Sequence, residues 1–165
     1  HLHVNLFGWV GLTIIGTLVT LWPTVLRTPM HANAISWALK GLRFLIAGIS
    51  LVLASALFDW PKLFSLGLLL YLAGAFVALM PAALLIPKKR PDRPGSWMLL
   101  SGAIGLAILL LADMAVVLSH PDPASALGVI EGHILLLFIL WLFPTLLGAL
   151  LYLLPVVLGR RPFYN

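Results

Sequence analysis

The chain has no cysteine, and only 9% of its 165 residues are charged. The first absence excludes disulfides, thiolate zinc sites and cysteine-ligated iron–sulfur clusters, so any metal must take nitrogen or oxygen ligands. The second excludes an ordinary soluble domain, in which roughly a quarter of residues are charged. Negative charge is scarcest: five Asp and Glu stand against ten Lys and Arg, for a formal net charge of +5. The basic residues lie in short stretches between apolar runs and not across one face of a folded domain, which excludes a nucleic-acid partner. An initiating methionine is also missing, and no charged leader or amphipathic transit segment precedes the first apolar run. The expectation is a chain trimmed from a longer protein, with flanking helices or other membrane subunits as its partners beside the lipid bilayer.

What remains is 62% hydrophobic. A helical span needs about 20 largely apolar residues, and five stretches qualify: 3–25, 36–58, 63–86, 97–118 and 133–158. The fold class is therefore all-α, a polytopic bundle of five transmembrane helices in one domain, 1–165. Prolines and basic residues punctuate it at "WPTVLRTP" and "LIPKKRPDRPG", where a missing N–H and a charge both end a span. Arg27, Lys40, Arg43, Lys88, Lys89, Arg90, Arg93, Arg160 and Arg161 fall on alternate connections, against Lys62 alone on the others. By the positive-inside rule these nine face the cytoplasm of a bacterial inner membrane, with the first residues outside. Lys40 and Arg43 read as snorkelling side chains, Trp22, Trp37, Trp60 and Trp97 as interfacial anchors, and Gly8, Gly41, Gly48, Gly67, Gly74, Gly102 and Gly105 as points of close helix packing.

On that topology His1, His3, His120 and His133 share the outer side with Asp59, Asp113, Asp122 and Glu131, and His31 alone is cytoplasmic. A single histidine at a helix end is ordinarily a solvated interfacial residue; four on one side point to a shared metal or cofactor site. Asp113 is the deepest carboxylate, and an ionisable group within a span is a functional candidate. In "HLHVN" the first and third residues point about 200° apart on a helix, so His1 and His3 serve different partners. His1 shares a face with Asn5, and His3 with Phe7. Were His1 a mature N-terminus, its amine and His3 would offer a local copper chelate; trimming is the preferred reading.

Sliding the chain by 132 residues lays "HLHVNLFGWVGLTIIGTLVTLWPTVL" over "HILLLFILWLFPTLLGALLYLLPVVL" without a gap. His1 meets His133, Trp9 meets Trp141, Thr13 meets Thr145, Gly16 meets Gly148 and Pro23 meets Pro155. The first and fifth spans are then equivalent members of successive four-helix units.

At these residues the chain resembles subunit I of the haem–copper oxidase superfamily, and the related NnrS-like membrane proteins of the nitric oxide response. That superfamily is built from arcs of four helices, with ligand histidines recurring near the outer ends of helices four apart, and one of its helices carries a His-x-His pair serving two haems. The resemblance covers some 30 residues at each end of the chain. It implies a domain that binds haem, alone or with copper, in respiratory or nitric-oxide-linked redox chemistry. His1, His3 and His133 would be ligands, His120 a further metal ligand, and Asn5, Asp113, Asp122 and Glu131 the groups that orient them. The chain departs from the family in its five helices, in lacking an adjacent His-His pair and in lacking a recognisable tyrosine-bearing ligand helix. The competing class is a non-enzymatic scaffold or transporter segment whose histidines are interfacial.

Overall fold

The computed structural model describes residues 4–58, 60–120 and 123–159. Every regular element among them is helical. α1 opens with a π-helical stretch, Val4–Gly11, and continues as α-helix Leu12–Leu26; α2 is Ala34–Phe58, α3 Pro61–Ala83 and α4 Pro94–Ser119. α5 starts as α-helix Pro123–Leu137, passes through a π-helical turn Phe138–Leu142 and ends as α-helix Phe143–Val157. All five are long and apolar enough to cross a membrane, over Asn5–Leu26, Ala34–Phe58, Lys62–Ala83, Pro94–Ser119 and Gly128–Val157. The protein is a multi-pass membrane protein.

Starts and stops follow the local chemistry. α3 and α4 each begin at a proline, whose fixed φ suits the first helical position and whose missing N–H costs nothing there. Ser96 Oγ donates to the Arg93 carbonyl at 2.8 Å and accepts from the Arg93 N–H, closing the entry to α4. α1 ends at Arg27 in the left-handed conformation, and the N–H groups of Arg27 and Thr28 return to the Thr24 and Pro23 carbonyls. The fifth helix begins ten residues before the boundary expected from hydropathy. Pro123 is a helix starter, and "ASALGVI" after it contains nothing that breaks a helix, so most of the expected outer loop 120–131 is helical instead.

Two glycine-lined seams hold antiparallel pairs together. On α2 and α3 a Cβ on Gly41 would sit 2.6 Å from the Gly74 carbonyl, and one on Gly48 would sit 2.7 Å from the Gly67 carbonyl. The same spacing of seven residues recurs on α4: Gly95 lies against Gly148, and Gly102 against Trp141 and Thr145 of α5. Bare glycines let the backbones approach, and dispersion along such seams drives association where lipid is as apolar as the side chains. Gly8 takes no such part, meeting only Ile49 at ordinary contact distance.

Two apolar clusters mark the ends of the bundle. Trp22 and Leu26 of α1, Ala82 and Leu85 near the end of α3 and Leu99 of α4 form one, at the end that carries the basic connections. Leu6 and Phe7 of α1, Leu68 and Tyr71 of α3, Leu109 and Leu110 of α4 and Leu137 and Trp141 of α5 belong to the other. The starts of α1, α3 and α5 thus lie together and so do their later turns, which makes these three helices parallel. Trp22, expected as an interfacial anchor, is instead 5% exposed within the core. Trp60 and Trp97 lie exposed near helix ends, and Lys40 places its Nζ 5.8 Å above the Trp37 ring, one turn back toward the start of α2.

Candidate functional site

The buried stripe of α4 runs through Leu99, Gly102, Leu106 and Leu110, and its next member is Asp113. That of α5 runs through Ala126, Ile130, Leu137 and Trp141, with His133 between Ile130 and Leu137. At two positions where packing asks for aliphatic side chains, the sequence supplies a carboxylate and an imidazole. They meet: His133 Nδ1–H donates to Asp113 Oδ1 at 2.6 Å. Asp113 is fully buried, and the His133 side chain retains 20% exposure.

Removing a carboxylate from water costs several kcal/mol even after relaxation, and the cost is met only by close, well-formed hydrogen bonds. A bond of this length involving an ionised oxygen is of the strong, charge-assisted kind. In the neutral ring that bond selects the tautomer with the proton on Nδ1 and the lone pair on Nε2. Among the described residues no group bonds to that nitrogen. A carboxylate behind one ring nitrogen, with the other nitrogen open, is the arrangement that orients metal-ligating histidines and raises their basicity.

The wall below the pair is aromatic. Phe7 stacks on Trp141 at 5.9 Å and meets Tyr71 at 5.2 Å, joining α1, α3 and α5. The Tyr71 hydroxyl donates to the Phe7 carbonyl at 2.9 Å, inside the π-helical stretch where backbone bonding is rearranged. Gly11 makes that reach possible, since a Cβ there would collide with the Tyr71 hydroxyl. The second π-helical turn begins five residues after His133 and pushes the Leu140 carbonyl against Gly105, where again a Cβ would collide. π turns of this kind occur frequently at functional sites. The two occupy overlapping places under the 132-residue shift, and so do two side-chain bonds: Thr13 Oγ1 to the Trp9 carbonyl at 2.8 Å, and Thr145 Oγ1 to the Trp141 carbonyl at 2.7 Å.

The remaining candidates are dispersed. His1, His3 and Asp122 lie outside the described residues. Asn5 is exposed on the first turns of α1. His120 ends α4, two helical turns beyond Asp113, and its Nδ1 bonds the Val116 carbonyl at 2.9 Å, one turn back on its own helix. Glu131 is exposed on α5 and makes no hydrogen bond among the described residues, so the group holding His133 is Asp113 and not Glu131. At the basic end His31 Nδ1 accepts the Asn33 N–H at 3.2 Å. Among the described residues no three of His, Asp and Glu come close enough to hold a metal ion by themselves. Sequence reasoning missed Tyr71 and the π turns. A tyrosine in a span signals little, and no residue pattern announces a π turn.

No family model, no curated protein and no solved structure matches this chain.

Proposed function

We propose that the protein is a membrane domain that binds haem, with copper as the other candidate, and takes part in respiratory or nitric-oxide-linked redox chemistry. The observation that carries this reading is the Asp113–His133 pair, which leaves Nε2 as an oriented nitrogen donor on a histidine otherwise packed among apolar side chains. The donor set fits the group. With no cysteine in the chain, imidazole is the strongest ligand it offers, and imidazole suits both haem iron and copper. When bound, such a metal supplies a one-electron redox couple and a coordination position for a small ligand.

The chain's own residues orient and shield. Asp113 prevents rotation of the His133 ring and keeps the proton on Nδ1. Phe7, Tyr71, Leu137 and Trp141 keep the wall below it dry. Phe7 of α1 reaches the ring of Trp141 on α5, and the resemblance assigns the further ligands to His1 and His3. In this reading the basic connections face the cytoplasm of a bacterial inner membrane and the histidine end faces outward.

Protein purified from haem-replete cells should show a Soret band that shifts on reduction. His133→Ala should remove or shift it, and His31→Ala, at the opposite end, should leave it alone. Colourless protein that takes up neither haem nor copper would instead establish the scaffold or transporter reading.

A further inference from the structure

At the basic end α1, α3 and α4 part to leave an open-sided cleft of about 90 Å³. Its walls are wholly apolar and include Leu18 and Trp22 from α1, Leu79 and Ala82 from α3, and Leu99 and Ala103 from α4. Trp22 is 5% exposed, and among the described residues its indole Nε1 has no hydrogen-bond partner. The chain leaves α3 past Ile86, which also lines the cleft, directly into Lys88, Lys89 and Arg90. The N–H groups of Lys88 and Lys89 both bond the Leu85 carbonyl, at 3.1 and 2.9 Å, and Leu85 belongs to the same apolar cluster as Trp22 and Leu99. The basic turn is therefore fastened at the mouth of the cleft, with Lys88 and Arg90 exposed.

We propose that this cleft is a binding site for an anionic phospholipid, with one acyl chain between α1, α3 and α4 and the phosphate on the Lys88–Arg90 turn. Hydrocarbon entering from a bilayer gains little hydrophobic free energy, because lipid tails are as apolar as the walls. Two other contributions select the occupant. Filling the void restores dispersion contacts that the lining atoms lack, and cations at headgroup level attract an anionic lipid over a zwitterionic one.

Native mass spectrometry of the intact protein tests the site, after exchange into detergent with equal amounts of phosphatidylglycerol and phosphatidylcholine. Phosphatidylglycerol adducts should predominate by about fivefold or more, as expected for several cations at one headgroup. Lys88→Glu combined with Arg90→Glu, both exposed, should abolish the preference. Ala103→Phe should fill the cleft and remove the tightly held adduct while leaving the cations in place. Helical circular dichroism and gel filtration confirm that the variants fold, and if Ala103→Phe does not, the charge pair decides alone. Equal retention of the two lipids, or a phosphatidylglycerol adduct indifferent to the charge reversal, overturns the proposal. Preferential retention of a neutral isoprenoid quinone from an added mixture overturns it as well, by assigning the cleft to an uncharged lipophile.

Discussion

Asp113 and His133 stabilise the bundle only as a pair. His133→Leu takes the imidazole away from a fully buried carboxylate and should cost about 3 kcal/mol or more, as loss of one partner of a buried pair does. Changing both residues to Leu should recover much of that loss, since well-packed apolar replacements for buried pairs are often neutral. Thermal unfolding in detergent of the two single variants and the double variant measures the coupling. If the two single costs simply add, the pair is not a unit. If His133 holds the proposed haem or copper, Asp113→Asn keeps the shape but removes the charge behind the ring, and should weaken its retention 10- to 100-fold, approximately the usual effect of losing such a partner. A retained metal titration readout, not stability, is the check on that. Both residues were legible in the sequence as ionisable groups inside apolar runs, but their pairing was not. With the fifth span begun at His133, Glu131 and Asp122 looked nearer; once α5 starts at Pro123, Asp113 and His133 stand ten residues to either side of the turn.

At the scale of the element, the glycine seams and the threonines show two ways of meeting a membrane. A Cβ on Gly48 meets backbone of both Gly67 and Tyr71, which cannot swing aside, so Gly48→Ala should cost about 1–3 kcal/mol, the usual penalty of overpacking. Gly16→Ala is the control: nothing lies within 4 Å of its Cβ, and the gain in helix propensity should make it neutral or slightly stabilising. Equal losses at the two sites, read from unfolding midpoints, would contradict the packing. On the exposed side of α1, Thr13, Thr17, Thr20 and Thr24 each turn their hydroxyl back to a carbonyl three or four residues earlier, so none of these four hydroxyls faces lipid unpaired. The helices themselves were legible because runs of some 20 apolar residues admit little else. Trp22 was misplaced because its position near a span end suggests an interface, while the face it shares with Leu18 and Leu26 is the one that packs inward.

For the whole molecule, the alternation of basic and non-basic connections gives a direct prediction. The chain has no native cysteine, so single cysteines at the exposed positions Lys88 and Ser119 report without background. They should label from opposite sides of the membrane, with Lys88 on the cytoplasmic side. Same-side labelling would remove the five-span topology. The parallel course of α1 and α5 followed from the internal repeat, but their environments diverge in a way the repeat does not carry. Trp9 is 81% exposed, whereas its counterpart Trp141 is 1% exposed, because α4 packs against that turn of α5 at Gly102 and Phe7 of α1 stacks on the ring. Position in a repeat sets backbone shape; the neighbouring helix sets burial.

The π turn at Phe138–Leu142 can also be regarded as a surplus residue stored in a helix. A ring closed from i to i+5 holds one residue more than an α turn, so the segments on either side keep the phase of a helix one residue shorter. Deleting Ile139, which points to lipid at 52% exposure, should convert the turn to ordinary α-helix. His133 would still face Asp113, and Trp141 would still face Phe7. The same deletion at Leu146, inside regular helix, has no surplus to absorb it and must rotate Gly148 away from Gly95 and Leu99 by about 100°. An Ile139 deletion that keeps the helical content and unfolding midpoint, beside a Leu146 deletion that lowers the midpoint, would identify the site-proximal bend as an insertion the bundle has accommodated.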